Sequence, residues 1–341
     1  MSSAFLKRYP GMQLSDFCYD LPPELIAQYP LKKRDAARMM VIRREDGSIT
    51  HDVFKHLNRY VPPQTQFVLN NSRVIPARLL GVKEQTGAQI EIFLLKRLEE
   101  NIYEVLLRPL KRLREGGKVS FEGGLTAEVV DKERRIVRFN KKNIQPFLKK
   151  YGHMPLPPYI KRSDEKSDQK TYQTVYAKKD GSVAAPTAGL HFTRTQMQDL
   201  KKAGHRFREV TLHIGYGTFQ PVETEQIEDH PMHVETYAVS PRVWKQLEGK
   251  GPVCAVGTTA TRVLESAAQT GRLSGDTNLF IYPGFSFKMV DLLLTNFHLP
   301  HSTLLMLVSA FGGMDLIRRA YSEAIAQKYR FYSYGDCMLI I

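Results

Sequence analysis

Hydrophobic and polar positions follow one pattern in the middle of this 341-residue chain and a different one after it. Between residues 78 and 139, short β-rich runs recur roughly every ten residues, a spacing that is typical of a small barrel or sandwich. Glycine pairs such as Gly116-Gly117 separate several of these runs, and no helical period is visible. We therefore predict a small β domain over residues 66–150, inserted into a larger domain of residues 1–65 and 151–341.

After residue 180, apolar strands alternate with helices that have one apolar face. A short apolar strand at 253–256 leads through Gly257 into a helix over residues 260–269. Further helices are predicted at residues 193–204, 302–311 and 316–329. The larger domain is therefore expected to be α/β in class, with a ligand crevice where loops follow the strands.

The chain carries 49 Lys and Arg against 35 Asp and Glu, a formal net charge of +14. Half of this excess lies in residues 101–150. An excess of this size favours a polyanionic partner, with nucleic acid ahead of a membrane surface. A solvated lysine-rich surface would give the same count, so the charge alone leaves both interpretations open.

Three cysteines, Cys18, Cys254 and Cys337, lie far apart and form no CxxC pair. Their number and spacing argue against a disulfide scaffold or a cysteine-based zinc site, and favour a reducing compartment. The first residues lack the apolar segment of a secretory signal, and the apolar run around 304–311 is too short to span a bilayer. We expect a cytoplasmic protein with no membrane partner.

Common cofactor and metal motifs are absent from the sequence. No GxxxxGK[ST] run is present, which disfavours a P-loop enzyme. Gly215 and Gly217 begin a GxGxxG pattern, but Gln220 takes the place of the third glycine. The HxxH pairs at 230–233 and 298–301 each contain a proline, which disfavours a helix that presents two metal ligands. We therefore predict no metal site, with packed or hydrogen-bonded histidines as the simpler interpretation.

Three segments place polar side chains on glycine-rich or otherwise apolar backbone. They are residues 183–193 with His191, residues 256–265 with Thr258, Thr259 and Arg262, and residues 294–303 with Asn296 and His298. Hydroxyls and free N–H groups at strand ends and helix starts are typical of ligand sites in open α/β sheets. An arginine in such a site can hold a carboxylate with two hydrogen bonds. Each segment also has a structural interpretation, as a capped helix, a surface arginine or a half-buried Asn and His.

A fourth stretch, residues 152–162, is stiffened by three prolines and carries Tyr159 and Arg162. Aromatic and basic side chains on a rigid loop suit stacking on an unpaired base and pairing with phosphate. The alternative is a stiff connection between domains. Residues 163–170 are the candidate for a flexible linker.

Long motifs across the chain identify a resemblance to a known family. They are LxDFxYxLPPELIAQ at 14–28, RVIPAR at 73–78, GHMPLPPYI at 152–160, YQTVYA at 172–177, AAPTAGLHFT at 184–193, LHIGYGTFQPV at 212–222, AVGTT at 255–259, TNFHLPHSTLLMLVSAF at 295–311 and YRFxSxGD at 329–336. With these motifs the chain resembles the S-adenosylmethionine:tRNA ribosyltransferase-isomerase family. One position departs from the family pattern, because Asn70-Asn71-Ser72 stands where Asn-Asp-Thr is usual. If the usual Asp acts as a charged base or ribose ligand, Asn71 cannot replace it. If the Asp only caps a turn, Asn71 can serve as well.

The resemblance implies an enzyme of mixed α/β class, with a larger α/β domain and an inserted small antiparallel β-barrel domain. The implied reaction transfers and isomerises the ribosyl moiety of S-adenosylmethionine onto the aminomethyl-deazaguanine base at the tRNA wobble position. The product is epoxyqueuosine, and adenine and methionine are released. No cofactor beyond the co-substrate S-adenosylmethionine is implied. We expect a monomer that binds the anticodon loop of tRNA.

Residue chemistry within the matched motifs suggests roles for the candidates. The acid–base candidates are His191, His213 and His298. The candidates for contacts with S-adenosylmethionine are Thr258, Thr259, Asn296, Gly215, Gly217 and Asn70, with Arg262 on the methionine carboxylate. The candidates for contacts with tRNA, supported by the basic insert, are Arg73, Arg78, Tyr159 and Arg162.

Three other functions remain alternatives at this point. Asn71 in place of Asp allows a catalytically impaired tRNA-binding homologue. An S-adenosylmethionine methyltransferase would release S-adenosylhomocysteine, but an early glycine-rich GxGxG loop is absent from the sequence. A histidine-based metallohydrolase would need a metal site, which short HxxH patterns indicate only weakly.

Overall fold

The computed structural model describes residues 11–215, 217, 222–249 and 251–341. Its strands are β1 (Arg38–Ile42), β2 (Ile49–Val53), β3 (Gln66–Asn70), β4 (Ser72–Val74), β5 (Arg78–Lys83), β6 (Gln89–Arg97), β7 (Ile102–Arg108), β8 (Lys118–Ser120), β9 (Thr126–Asp131), β10 (Ile136–Phe139), β11 (Lys179–Ser182), β12 (Arg206–Leu212), β13 (Glu235–Ala238), β14 (Val253–Val256), β15 (Ser274–Thr277), β16 (Leu292–Asn296) and β17 (Cys337–Ile340). Its α-helices are α1 (Gln145–Tyr151), α2 (Asp168–Thr171), α3 (Arg194–Lys202), α4 (Pro241–Leu247), α5 (Thr258–Thr270), α6 (Thr303–Gly312) and α7 (Met314–Ala326). Among the described residues, no helix has both the length and the apolar composition of a membrane span.

The largest sheet has nine strands in the order β15-β13-β12-β3-β14-β16-β17-β1-β2. Its central strands β12, β3, β14 and β16 are parallel to one another. Antiparallel pairs lie toward both edges, through β13 and β15 on one side and β2 on the other. The four central strands therefore end at the same edge of the sheet, where the loops that follow them meet.

Both faces of this sheet are covered at its centre, where β3, β14 and β16 are mostly apolar. The strands β14 and β16 are buried along their whole length. On one face, Ala255 and Leu293 belong to a core with apolar residues of α5, α6 and α7. On the other face, Cys254 and Leu294 belong to a second core that includes Phe192. The burial of both faces explains why β14 and β16 lack polar alternation, whereas β12, which is less buried, carries Arg206, Arg208 and Glu209.

The β-rich stretch that begins at β5 closes into a six-stranded barrel, in the order β10-β7-β6-β5-β8-β9. All its strand pairs are antiparallel. Alternate residues such as Ile90 and Ile92 point into its core. Gly81 lets two strands approach closely, since a Cβ there would lie 2.7 Å from the Phe121 ring. The predicted fold class, an α/β domain with an inserted antiparallel barrel, is confirmed.

The structure changes one detail of the predicted domain boundary. Gln66–Asn70, assigned from the sequence to the inserted domain, is β3 in the centre of the nine-stranded sheet. All five of its residues are buried, because it pairs in parallel with β12 and β14. At the other end, α1 packs Phe147 and Leu148 into the barrel core. The division into residues 66–150 and the rest otherwise stays a prediction.

Residues 163–170, the candidate for a flexible linker, contain a buried anchor, Asp168, which argues against a loose connection. Asp168 is 1% exposed and accepts hydrogen bonds from Nη1 and Nη2 of Arg162 at 2.7 and 2.9 Å. Tyr334 Oη donates to the same carboxylate at 2.9 Å. Composition alone does not reveal partners that are as distant in sequence as Asp168 and Tyr334.

Candidate active site

The three polar segments of the sequence meet at one cleft. It lies at the ends of β14 and β16 and measures about 740 Å³, part of which is open to solvent. Three of its walls come from residues within 184–188, 257–259 and 295–299. These walls include four predicted site residues, Thr258, Thr259, Asn296 and His298.

Local sequence explains how two of these walls form. The strands β14 and β16 are parallel neighbours, so their C-terminal ends lie side by side. After β14, Gly257 has a backbone φ of 90°, which residues other than glycine rarely adopt. Its N–H donates to the Leu294 carbonyl oxygen at 2.8 Å. The chain then enters α5 directly, so Thr258, Thr259 and the free N–H groups of the first helical turn lie at the cleft.

His298 is the predicted acid–base residue that lines the cleft itself. Its Nε2 is 2.8 Å from Oγ1 of Thr295, and its backbone N–H donates to Oη of Tyr321 at 2.9 Å. Tyr19 Oη donates to its carbonyl oxygen. Burial lowers the pKa of His298 from 6.5 to about 3, because the protonated ring would lose its hydration. At neutral pH the ring is therefore uncharged.

Asn296 connects the cleft to His191. Its Nδ2 donates to the Tyr332 carbonyl oxygen at 2.8 Å, and its Oδ1 lies 3.2 Å from Nε2 of His191. Because an amide oxygen only accepts, His191 carries a proton on Nε2. Burial lowers the pKa of His191 to about 4. His191 itself lines a neighbouring pocket with Arg34 and Tyr334, so it faces the cleft only through Asn296.

Asn70 lies behind the cleft wall, in contrast to its predicted contact with substrate. It is fully buried, and its Nδ2 donates to the Leu212 carbonyl oxygen at 3.0 Å and to Oγ1 of Thr259 at 3.4 Å. Its Oδ1 accepts from the backbone N–H groups of Ser72 and Leu212, each at 3.1 Å. Asn70 therefore contacts Thr259 from behind the cleft wall, and a direct contact with substrate stays a prediction.

Arg262 lies in a second pocket, which shares Leu304 with the cleft. Its Nη1 pairs with Oε2 of Glu235, and its Nε donates to the Leu279 carbonyl oxygen at 3.1 Å. Oε1 of Glu235 also accepts from the N–H of Gly215 at 3.0 Å. Glu235, which was not among the candidates predicted from the sequence, thus already pairs with one side of the guanidinium, and the contact of Arg262 with the methionine carboxylate stays a prediction. Nη2 of Arg262 has no hydrogen-bond partner in the described part of the chain.

His213 and Gly217 also lie outside the residues that line the cleft. Nδ1 of His213 is buried without a hydrogen-bond partner among the described residues. A Cβ at Gly181 would come within 2.9 Å of this atom, so the ring packs directly on that glycine. Burial lowers the pKa of His213. Gly217 lines the second pocket, in close contact with His233.

A fourth wall of the cleft is formed by Tyr159, predicted from the sequence only as a tRNA contact, and by Tyr172, Tyr332 and Ser333, which were not predicted as site residues. Oη of Tyr159 and Oγ of Ser333 are 2.6 Å apart, and the rings of Tyr159 and Tyr332 pack with centroids separated by 4.5 Å. Burial raises the pKa of Tyr159 to about 12. The signal in the sequence was the polar run Tyr332-Ser333-Tyr334 just before the apolar C-terminal strand.

The residues described as lining the cleft include no Asp, Glu, Lys or Arg. A cation bound there would meet hydroxyls, amides, a neutral imidazole and aromatic faces, and aromatic faces attract cations. Over residues 11–215, 217, 222–249 and 251–341, no group of three or more His, Cys, Asp or Glu side chains is arranged to hold a metal ion.

Two predicted tRNA contacts, Arg78 and Arg162, line one groove between the barrel and the proline-rich loop. The groove measures about 950 Å³, part of which is open to solvent. Nε and Nη2 of Arg78 each lie 2.9 Å from Oε2 of Glu91, with the side chain 37% exposed. The Arg162 side chain is only 13% exposed and is paired with Asp168, so its charge serves the fold. Lys161, in the same groove, is exposed.

The other two predicted tRNA contacts lie elsewhere. Arg73 is half exposed, and it donates from Nη2 to the Ala177 carbonyl oxygen at 2.7 Å. Its Nε is 3.4 Å from Oδ1 of Asp180. Tyr159 belongs to the cleft wall, where Tyr332 packs against its ring. Stacking of Tyr159 on an unpaired base stays a prediction.

Asn71, the departure from the family pattern, also lies outside the residues that line the cleft. Its Nδ2 donates to Oε2 of Glu209 at 3.2 Å, and its Oδ1 accepts from Oγ1 of Thr211 at 2.8 Å. An aspartate here would place a second carboxylate against Glu209, whereas the amide donates to it. Asn71 therefore stabilises the local structure and removes no charged base from the cleft wall.

Comparisons with known proteins agree with one another. The family described as "Queuosine biosynthesis protein" matches residues 14–340. The S-adenosylmethionine:tRNA ribosyltransferase-isomerase of Sulfurihydrogenibium sp. (strain YO3AOP1) is 50% identical over 97% of this chain and 100% of its own length. The protein of the same name from Carboxydothermus hydrogenoformans is 51% identical with the same coverage. The crystal structure of an S-adenosylmethionine tRNA ribosyltransferase from Thermotoga maritima is 38% identical and covers 96% of this chain and 100% of its own, with a TM-score of 0.56.

Proposed function

The chain belongs to the queuosine biosynthesis protein family, and on that premise we propose that it acts as an S-adenosylmethionine:tRNA ribosyltransferase-isomerase. It transfers and isomerises the ribosyl moiety of S-adenosylmethionine. The acceptor in this proposal is the aminomethyl-deazaguanine base at the tRNA wobble position, the product is epoxyqueuosine, and adenine and methionine leave. The observation that carries the proposal is the identity of 50 and 51% to relatives of this name, over their full lengths.

The cleft has the groups that the nucleoside part of this co-substrate needs. The hydroxyls of Thr258 and Thr259, the N–H groups of the first turn of α5 and the amide of Asn296 suit ribose hydroxyls and ring nitrogens. Nη2 of Arg262, in the adjoining pocket, is the donor for the methionine carboxylate, with Glu235 holding the guanidinium. In this arrangement the adenosine lies in the cleft and the methionine end reaches past Leu304.

His298 is the best-supported base. The sulfonium charge acidifies the protons on the neighbouring carbon, so a base of modest strength can remove one. A neutral imidazole keeps its lone pair at pH 7, and the low pKa of His298 maintains that form, while the same shift makes the ring a weaker base than an ordinary imidazole. The support for His298 as the base is therefore its place in the cleft wall. In the tautomer that donates from Nε2 to Thr295, the lone pair is on Nδ1. His191 acts through Asn296 as a positioning residue, and His213 has weaker support because it lies outside the wall of the cleft.

The groove beside the barrel suits the tRNA. Arg78, Arg108 and Lys161 line it, and the net charge of +14 favours a polyanion. We expect the anticodon loop to lie there and the wobble base to enter the cleft unpaired, because its aminomethyl group has to reach the bound nucleoside. Tyr159 follows the prolines of the groove and lines the cleft, so it lies on the path between them.

The proposal includes no cofactor beyond S-adenosylmethionine. It also includes a monomeric enzyme that works in the cytoplasm, where its tRNA substrate is available. The alternative of a catalytically impaired homologue rested on Asn71, whose contacts with Glu209 and Thr211 give that alternative no support.

Adenine release tests the proposed reaction. The protein is incubated with S-adenosylmethionine and a tRNA that carries the aminomethyl-deazaguanine base, and free adenine, methionine and modified tRNA are quantified. We expect equal amounts of adenine and modified tRNA. Formation of S-adenosylhomocysteine, or no reaction at all, would contradict the proposal.

The variant His298→Gln tests the base, since a Gln amide can replace the contact to Thr295 but cannot accept a proton at neutral pH. We expect kcat for adenine release to fall by about 100-fold or more. His205→Gln is the matched control, because His205 is also buried but bonds to Asn58 away from the cleft. Equal activity of the two variants would exclude His298 as the base.

A further inference from the structure

Tyr172 has a buried hydroxyl without a hydrogen bond. The residue is 0% exposed, and its Oη has no partner among the described residues. Native proteins rarely leave a buried polar group unpaired, because the lost hydration is not compensated. Tyr172 lines the cleft. A ligand in the cleft is therefore the natural source of the missing partner.

The surroundings of this hydroxyl are all part of the cleft wall. Oγ of Ser333 and the backbone of Ala185 are the polar groups near enough to this hydroxyl to lower its pKa, but neither has the distance and angle of a hydrogen bond to it, and both residues line the cleft with Tyr159. Oγ of Ser333 is already engaged with Oη of Tyr159 at 2.6 Å. The ring of Tyr172 is fixed by an edge-on contact with Tyr334, with centroids 5.8 Å apart. The hydroxyl is thus held rigidly in the wall.

We propose that Tyr172 is a substrate-contacting residue whose hydroxyl donates a hydrogen bond to the adenosine part of S-adenosylmethionine, an inference that rests on the proposed function. Burial raises the pKa of Tyr172 well above its ordinary value, so the group is a protonated donor at neutral pH. The described residues of the cleft wall include no Lys or Arg, so neutral donors serve the acceptor atoms of the nucleoside there. The methionine carboxylate is assigned to Arg262 in the adjoining pocket.

Tyr176 provides a matched control four residues away. It is buried, and its hydroxyl also has no hydrogen-bond partner among the described residues. It packs in the core on the other face of the sheet, with Phe192 and Leu200, and is not one of the residues that line the cleft. The two tyrosines therefore differ in their access to a ligand and not in the state of their hydroxyls.

The variants Tyr172→Phe and Tyr176→Phe test the proposal. Calorimetric titration measures Kd for S-adenosylmethionine and S-adenosylhomocysteine, thermal unfolding measures Tm, and adenine release measures KM and kcat. For Tyr172→Phe we expect Kd for both ligands to rise about fivefold, the size of one net hydrogen bond. Its Tm should stay at or above that of the wild type, because the substitution removes an unpaired polar atom. Tyr176→Phe should keep the wild-type Kd.

Three results would overturn the inference. If the wild-type enzyme is active and Tyr172→Phe has the same Kd and KM, Tyr172 does not contact the substrate. The proposed function would then stay intact. A parallel loss of Tm and affinity in Tyr172→Phe would show that the hydroxyl serves the fold. A wild-type protein that neither binds S-adenosylmethionine nor releases adenine would overturn the proposed function, and this inference with it.

Discussion

At the scale of single residues, His191 and His298 share one electrostatic property. Both are buried, and burial lowers their pKa values to about 4 and about 3 because a charged imidazole is poorly hydrated in the interior. Each ring is held by one neutral side chain, Asn296 for His191 and Thr295 for His298. Neither has a carboxylate among these partners, so both stay neutral in the pH range where the enzyme would work.

This property predicts acid sensitivity of the fold. In the unfolded chain both histidines bind a proton near pH 6.5, whereas in the folded protein they do so only near pH 4 and pH 3. The unfolded state therefore binds more protons in this window, and the free energy of unfolding should fall as the pH drops from 6.5 toward 3. Urea denaturation at a series of pH values measures the decline. His298→Gln should make it shallower, and an unchanged slope would argue against a buried neutral His298.

At the scale of elements, the turn of residues 187–191 and the YQTVYA segment fit together closely. A Cβ at Gly189 would lie 1.9 Å from Oη of Tyr176 and 2.9 Å from Cγ2 of Thr174. Only glycine fits there, because both neighbours are packed in place. The same turn ends at His191, whose Nε2 lies 3.2 Å from Oδ1 of Asn296, so a side chain forced into the turn at Gly189 would displace His191.

Gly189→Ala should therefore lower both stability and activity. We expect a loss of about 1 to 3 kcal/mol in the free energy of unfolding, from overpacking against Tyr176 and Thr174. We also expect slower adenine release, since His191 would shift relative to Asn296. Urea denaturation and the adenine assay measure the two effects. A variant that unfolds at the wild-type urea concentration would show that the space at Gly189 is not restricted.

At the scale of the whole molecule, charged side chains lie outside the cleft in which the proposed reaction takes place. The residues described as lining the cleft include no Asp, Glu, Lys or Arg, whereas Arg78, Arg108 and Lys161 line the groove beside the barrel. A low-polarity chamber favours a neutral amine and a neutral imidazole. In the proposed function, the basic side chains of the groove, which outnumber its acidic residues Glu91 and Asp164, would attract a phosphate backbone over longer distances. The two parts of the fold thus suit the two substrates of the proposed reaction.

Salt dependence tests this separation. Affinity for an anticodon stem-loop should fall as salt rises, because bound phosphates release their counterions. Arg78→Ala should weaken binding and reduce the slope of log Kd against log salt by about 0.7 to 0.9. Arg318→Ala is the control, an exposed arginine on α7 paired with Asp315. Equal slopes for the two variants in fluorescence anisotropy would contradict a phosphate contact by Arg78.

Much of the fold could be predicted from local pattern. The helices predicted at 193–204, 260–269, 302–311 and 316–329 correspond to α3, α5, α6 and α7, and the barrel strands lie where β-rich runs recur. These elements follow from the spacing of apolar residues along the sequence and from glycine turns. Both depend only on residues that are close together in sequence. Gln66–Asn70 was assigned to the wrong sheet, because an apolar run of five residues does not specify its partner strands.

What the sequence determined by itself is therefore four of the helices, the β-rich stretch that forms the barrel and the three segments that carry polar groups on apolar backbone. The tertiary structure decided which of those groups share a cavity. It placed Tyr159 within hydrogen-bond distance of Ser333, 174 residues away in sequence. It also placed Arg162 in an ion pair with Asp168, and Arg262 in an ion pair with Glu235. The physical reason is that burial and pairing depend on the order of the strands in the sheet. The strand β17 lies between β16 and β1, and this position brings Tyr332 and Ser333, in the loop before β17, to the cleft. Periodicity along the chain carries no information about that order.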